Sequence, residues 1–117
     1  GINLSISKNI ISKSEKNYFL DMIKEIIHNP KVKPFFDSNL ESYNEIEIIN
    51  KNGNISRLDR IVEMKDKSIN IIDYKTGTEK DEDILQVENY KNTLKEIEDK
   101  NINAYLIYID LNKIVKV

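Results

Sequence analysis

Residues 69–109 read INIIDYKTGTEKDEDILQVENYKNTLKEIEDKNINAYLIYI. The stretch opens as an apolar strand, changes period after Gly77 and closes as a second apolar strand. Between the two, Ile84, Val87, Leu94 and Ile97 recur at helical spacing, and Asp81 to Asp83 suit the positive end of a helix dipole. Two strands joined by a crossover helix run parallel in one sheet, with a right-handed connection. NAYLIYIDL is dense enough in apolar residues to be a central strand.

Upstream, residues 44–50 read NEIEIIN and alternate Ile46 and Ile48 against Glu45 and Glu47. Asn52-Gly53 follows, a strong hairpin signal. NISRLDRIVEM, residues 54–64, puts Ile55 and Ile61 on one face and Leu58 and Val62 on the other. MKDKS is a polar turn into the DYK strand, so the three runs form an antiparallel meander. Before them, SEKNYFLDMIKEIIH carries Phe19, Met22, Ile23, Ile26 and Ile27 on one helical face. Ser12 and Glu15 have capping-box spacing at its start, and Asn29-Pro30 ends it. KVKPFFDS adds a short helix or turn, and NKIVKV a short edge strand. The predicted order is helix, three strands, helix, strand: an α/β (α+β) domain of αβββαβ topology over residues 1–117.

Composition narrows the chemistry. The chain has 117 residues, 39% hydrophobic and 32% charged, as expected of one packed domain. It has no cysteine and one histidine, which excludes disulfides, thiolate metal sites and multi-histidine centres. A metal site here must use oxygen ligands, favouring Mg²⁺, Mn²⁺ or Ca²⁺. A net charge of −2 argues against binding nucleic acid by bulk charge. The basic surplus lies in residues 1–36 and 51–80, the acidic one in 37–50 and 81–100. No apolar run reaches the roughly 18 residues of a membrane span, and the N-terminus lacks a signal-peptide pattern.

Asp73 and Lys75, two apart on a strand, point to the same side. A strand-end ion pair accounts for that, and so does a metal-dependent site. Asp59 lies on the neighbouring strand, and Gln86 and Tyr90 lie one turn apart on the following helix. Two carboxylates on adjacent strands, with the Tyr74 carbonyl as a third oxygen, can hold a divalent cation that activates water. Lys75 beside that water can stabilise developing negative charge.

These residues also carry a resemblance. Asp59, then Asp73-Tyr74-Lys75, then Gln86-x-x-x-Tyr90 resembles the PD-(D/E)XK nuclease superfamily, and RLDRIV, IIDYKTG, QVENY and AYLIYIDLNKIVKV resemble its RecB-like branch. The likeness covers about residues 43–117 well and the first helix loosely. It implies a restriction-endonuclease-like core. It implies metal binding at Asp59 and Asp73, a catalytic Lys75, and support from Gln86 and Tyr90. Glu45 matches an acidic position often seen on the first strand of the branch. The implied function is a Mg²⁺- or Mn²⁺-dependent DNA nuclease, the C-terminal part of a UvrD-type helicase–nuclease acting in end processing, recombination and repair. The implied partners are DNA, motor domains of the same parent chain and a second helicase–nuclease subunit, with no membrane, in a bacterial cytoplasm. One feature departs from the branch: its members carry a metal-binding His upstream, whereas His28 reads as a helix C-cap. The alternative is an inactive nuclease-fold module that binds DNA or acts as a scaffold.

Overall fold

The computed structural model describes residues 5–6, 21 and 23–117. The capping box at Ser12 and Glu15, and Phe19 and Met22, lie outside them. Among the described residues six strands form one sheet in sequential order: β1 (Ser5–Ile6), β2 (Glu41–Ile49), β3 (Ile55–Glu63), β4 (Ile69–Lys75), β5 (Ile102–Tyr108) and β6 (Lys113–Lys116). Helix α1 is described at residues 21 and 23–26, a 3₁₀ turn spans Lys33–Phe36, and α2 spans Asp81–Ile97. All neighbouring strands are antiparallel except β4 and β5, which are parallel across α2. The expected helix–meander–helix–strand order is therefore present, with NKIVKV forming the expected edge strand β6 and with β1 added at the other edge.

Local chemistry sets the turns. Asn50 accepts hydrogen bonds from the backbone of Asn52 and Asn54 on its side-chain oxygen, at 2.9 and 3.0 Å. Gly53 closes this hairpin at φ +83°, a conformation that costs a Cβ-bearing residue about 1–2 kcal/mol. Between β3 and β4, Asp66 accepts from the Ser68 backbone at 2.9 Å and from its hydroxyl at 2.5 Å.

The sheet separates two apolar layers. On one face Ile61, Ile69, Ile71, Ile102, Ala104, Leu106 and Tyr108 pack against Val87, Tyr90 and Leu94 of α2. On the other, Val62, Ile72, Ile107 and Ile109 pack against Ile26, Val32 and Phe35. Phe35 meets Tyr105 with ring centroids 4.8 Å apart. Asn29, at the end of α1, donates to the backbone oxygen of Asn112 at 3.4 Å and to its side-chain oxygen at 3.2 Å, tying that layer to the β5–β6 turn.

Three expectations from periodicity need correction. Leu58 and Val62 do not share a face: Leu58 joins Ile46 and Ile48 on the α2 side, and Val62 lies on the other. The break lies across from Glu45 of β2, a non-glycine residue at φ +52°. Pairing runs Asn44 to Arg60 and Ile46 to Leu58, but lapses where Glu45 faces Asp59. The left-handed residue turns the strand over, so strict alternation breaks there. Ile55 is 62% exposed at the hairpin tip, where only its partner Ile49 is beside it in the ladder. Ile84 is exposed too, at the margin of a buried helical stripe that runs through Val87, Tyr90, Thr93 and Leu94.

Candidate active site

The sheet forks at Asp59 and Asp73. β3 and β4 pair from Glu63–Ile69 to Arg60–Ile72, and no further. β3 continues with β2 as far as Ile55–Ile49, and β4 continues with β5 as far as Lys75–Tyr108. At the fork the Asp59 side chain takes over the ladder's role, accepting the Tyr74 backbone N–H at 2.9 Å. A carboxylate is thereby fixed where two strands part.

Asp73 sits beside it, only 4% exposed. The Lys75 ammonium stands 3.2 Å from Asp73 Oδ2 as an ion pair. Its approach is off the direction of a hydrogen bond, so that oxygen has no hydrogen-bond partner among the described residues. Burial, then the neighbouring Asp59 carboxylate, raises the Asp73 carboxyl from 3.8 to about 7, with Lys75 pulling the other way. The Asp73 carboxyl, desolvated beside a second carboxylate, thus keeps its proton to near neutrality.

α2 supplies the second wall. Gln86 accepts from Lys75 Nζ through Oε1 at 2.5 Å, which fixes the ammonium. One turn on, Tyr90 is buried, and its hydroxyl is pushed up to about 12 by burial and then by the Asp73 and Asp59 charges, with Arg57 opposing. Two contacts hold the start of α2 in register with β5. Tyr108 donates to Asp83 Oδ2 at 3.1 Å, and the Gly77 N–H donates to Asp110 Oδ2 at 2.8 Å. Asp83, expected from sequence to suit the helix dipole, is thus also an anchor, as is Glu79 through its ion pair with Lys113.

The structure therefore brings Asp59, Asp73, Lys75, Gln86 and Tyr90 together. It also separates the two arginines that flank Asp59. Arg60 is 8% exposed and donates Nε and Nη2 to the Phe35 carbonyl at 3.3 and 3.0 Å, and Nη1 to Asn44 Oδ1 at 3.0 Å. Its guanidinium lies 4.6 Å from the Phe36 ring centroid. Arg60 is thus a clamp on the 3₁₀ turn and does not pair with Glu63, whose partners are Lys67 and Lys100. Arg57 reaches Glu45 instead, with Nη2 3.7 Å from its Oε1, and its charge acts on the Tyr90 hydroxyl. Strict alternation puts Arg57 and Arg60, three apart, on opposite faces, and it does not say which of them is buried. His28 is exposed just beyond α1.

The donor set fits a hard cation. No group of three or more His, Cys, Asp or Glu side chains is placed to hold a metal among the described residues. Two carboxylates are present, one with an oxygen buried and without a hydrogen-bond partner, and hard divalent ions complete such sites with backbone oxygen and water. A shallow depression lined by Glu88, Lys91, Asn92, Lys95 and Val117 lies apart from these residues. The chemistry, not the concavity, marks the site.

Among solved structures, the chain is similar to the crystal structure of a repair endonuclease from Pyrococcus abyssi. The TM-score is 0.52 at 18% identity, over 87% of this chain. The fold is restriction-endonuclease-like. At this identity the likeness speaks to fold alone, and the matched region spans 40% of the endonuclease chain. No protein-family model matches the chain, and no curated protein sequence does. The restriction-endonuclease-like architecture nevertheless agrees with the order of elements read from the sequence. None of the described helices is long and apolar enough to cross a membrane.

Proposed function

We propose that the chain is a metal-dependent DNA nuclease domain that hydrolyses phosphodiester bonds. The observation that carries this reading is the fork itself. Asp59 and Asp73 meet where β3 and β4 part, and Lys75 is held between Asp73 and Gln86. Asp59 and Asp73, with the Tyr74 carbonyl, would hold Mg²⁺ or Mn²⁺. When bound, such an ion neutralises the scissile phosphate and acidifies a coordinated water.

The chain's own residues do the rest. Burial of Asp73 keeps water from solvating its charge, so the carboxyl holds its proton to near neutrality in the metal-free chain, and a bound cation would favour its charged form. Lys75 presents its ammonium to the attacking water and to the negative charge that develops on phosphate oxygen. Gln86 keeps Lys75 in place through its accepted hydrogen bond. Tyr90, buried one turn beyond Gln86 and within reach of both carboxylate charges, keeps the local dielectric low.

A RecB-like nuclease module in a bacterial, cytoplasmic helicase–nuclease is the finer form of the proposal. Motor domains of a larger parent chain, and a second helicase–nuclease subunit, would supply strands to the fork. That division of labour accounts for a net charge of −2 on a domain working on a polyanion. The second reading is an inactive DNA-binding or scaffold module. It is favoured by the donor set, whose side-chain ligands stop at two carboxylates among the described residues.

Cleavage of labelled single- and double-stranded DNA with Mg²⁺ or Mn²⁺ separates the two. The nuclease reading expects metal-dependent cleavage that falls at least about 10²-fold in Lys75→Ala. Wild-type chain that binds DNA and never cleaves it supports the scaffold reading instead.

A further inference from the structure

The cations around the fork differ in how fully they are engaged. Lys75 faces Asp73 and Gln86. Arg60 spends Nε, Nη1 and Nη2 on Phe35 and Asn44. Arg57 is different. Its contact with Glu45, at 3.7 Å, is too long for a hydrogen bond. Its Nε is buried and has no acceptor among the described residues. A buried donor without an acceptor costs about 1–3 kcal/mol, so a fold keeps one where something else is to fill it.

Its place is informative. Arg57 lies two residues before Asp59, on the part of β3 that has left β4. Continuing the lapsed β3–β4 register would set it opposite Lys75. Its side chain is 36% exposed, enough for a ligand to reach. Glu45, which faces it loosely, is the residue held in the left-handed conformation. A non-glycine residue kept there is a strained one, and such residues cluster at functional sites.

We infer that Arg57 binds a phosphate of the DNA strand beside the scissile bond, with Glu45 as its stand-in anion in the free protein. A planar guanidinium offers two parallel N–H groups to a phosphate, which suits this task better than an ammonium does. The inference rests on the nuclease reading for its substrate, and its test separates the two.

The test is binding of a labelled oligonucleotide by the 117-residue chain in Ca²⁺ over a series of salt concentrations, with cleavage in Mg²⁺ measured alongside. Arg57→Ala is expected to weaken binding about tenfold. It should also reduce the slope of log K against log salt by about 0.9 for duplex, or about 0.7 for single strands. Arg57→Lys should restore the slope and only part of the affinity. Glu45→Gln should tighten binding, and decides the matter if Arg57→Ala does not fold. An unchanged affinity and slope in Arg57→Ala, or a lowered Tm with the slope intact, overturns the inference. If wild type and Arg57→Ala cleave equally, the inference fails and the nuclease reading stands. If wild type binds through Arg57 without cleaving, the nuclease reading fails and the phosphate site stands. A wild type that does neither overturns both.

Discussion

Replacing Asp73 by Asn should stabilise the metal-free protein at neutral pH. The buried carboxyl holds its proton up to about 7, against 3.8 for an ordinary aspartate, chiefly because burial disfavours its charge. The folded state therefore binds the proton more tightly than the unfolded chain. Stability from this group is complete below about pH 4 and is lost as pH rises through about 7. Each tenfold gain in proton affinity corresponds to about 1.4 kcal/mol, so three such steps set a ceiling of about 4 kcal/mol for Asp73. Asn has nearly the same volume and no charge to desolvate, and Lys75 keeps Gln86 as a partner. The two proteins should match near pH 4, diverge between about pH 4 and about pH 7, and differ by a constant amount above that, with the variant ahead by up to about 4 kcal/mol. For a domain of this size that is a Tm difference on the order of 10 °C. Thermal and urea unfolding in EDTA at pH 4, 6 and 8 measure it directly. Adding 10 mM Mg²⁺ should raise the wild-type Tm and leave Asp73→Asn unmoved, since about 1.4 kcal/mol follows from a site of roughly millimolar affinity. A difference between the two proteins that does not change with pH, or a variant less stable at pH 8, would refute the account of Asp73 as a carboxyl kept protonated by burial.

Two further outcomes test the surrounding frame. Arg60→Ala should cost about 1–3 kcal/mol in urea unfolding, because it leaves the Phe35 carbonyl without its donors, while the salt slope of DNA binding stays unchanged. Gly77→Ala should cost about 1–2 kcal/mol of stability. The added Cβ meets nothing within 4 Å, so the expense lies wholly in holding φ +80°. A neutral Gly77→Ala would mean that the β4–α2 turn can relax without moving Lys75 or Gln86.

Most of the candidate site was legible before any coordinates. Asp73 and Lys75 lie two apart on a strand, and Gln86 and Tyr90 four apart on a helix. Those two periods alone place each pair on one side of its element. The change of period at Gly77 also marked the helix that makes β4 and β5 parallel. Such signals are local, because backbone geometry repeats over two or four residues whatever the partner. β1 is another matter: a two-residue strand has too few positions to show a period, and it exists only by pairing with Ile46 and Glu47.

What the amino-acid order determined by itself was therefore the kind and succession of elements and the side chains each would present. Only the tertiary structure decided where alternation breaks, through the left-handed Glu45 facing Asp59. It likewise decided which arginine is buried under Phe35 and which remains at the fork. The proton affinity of Asp73 belongs to the same class. The Asp-Tyr-Lys sequence is compatible with an ordinary exposed ion pair. Burial of that carboxyl beside Asp59 reverses the balance, because desolvation and like charge are set by neighbours distant in the chain.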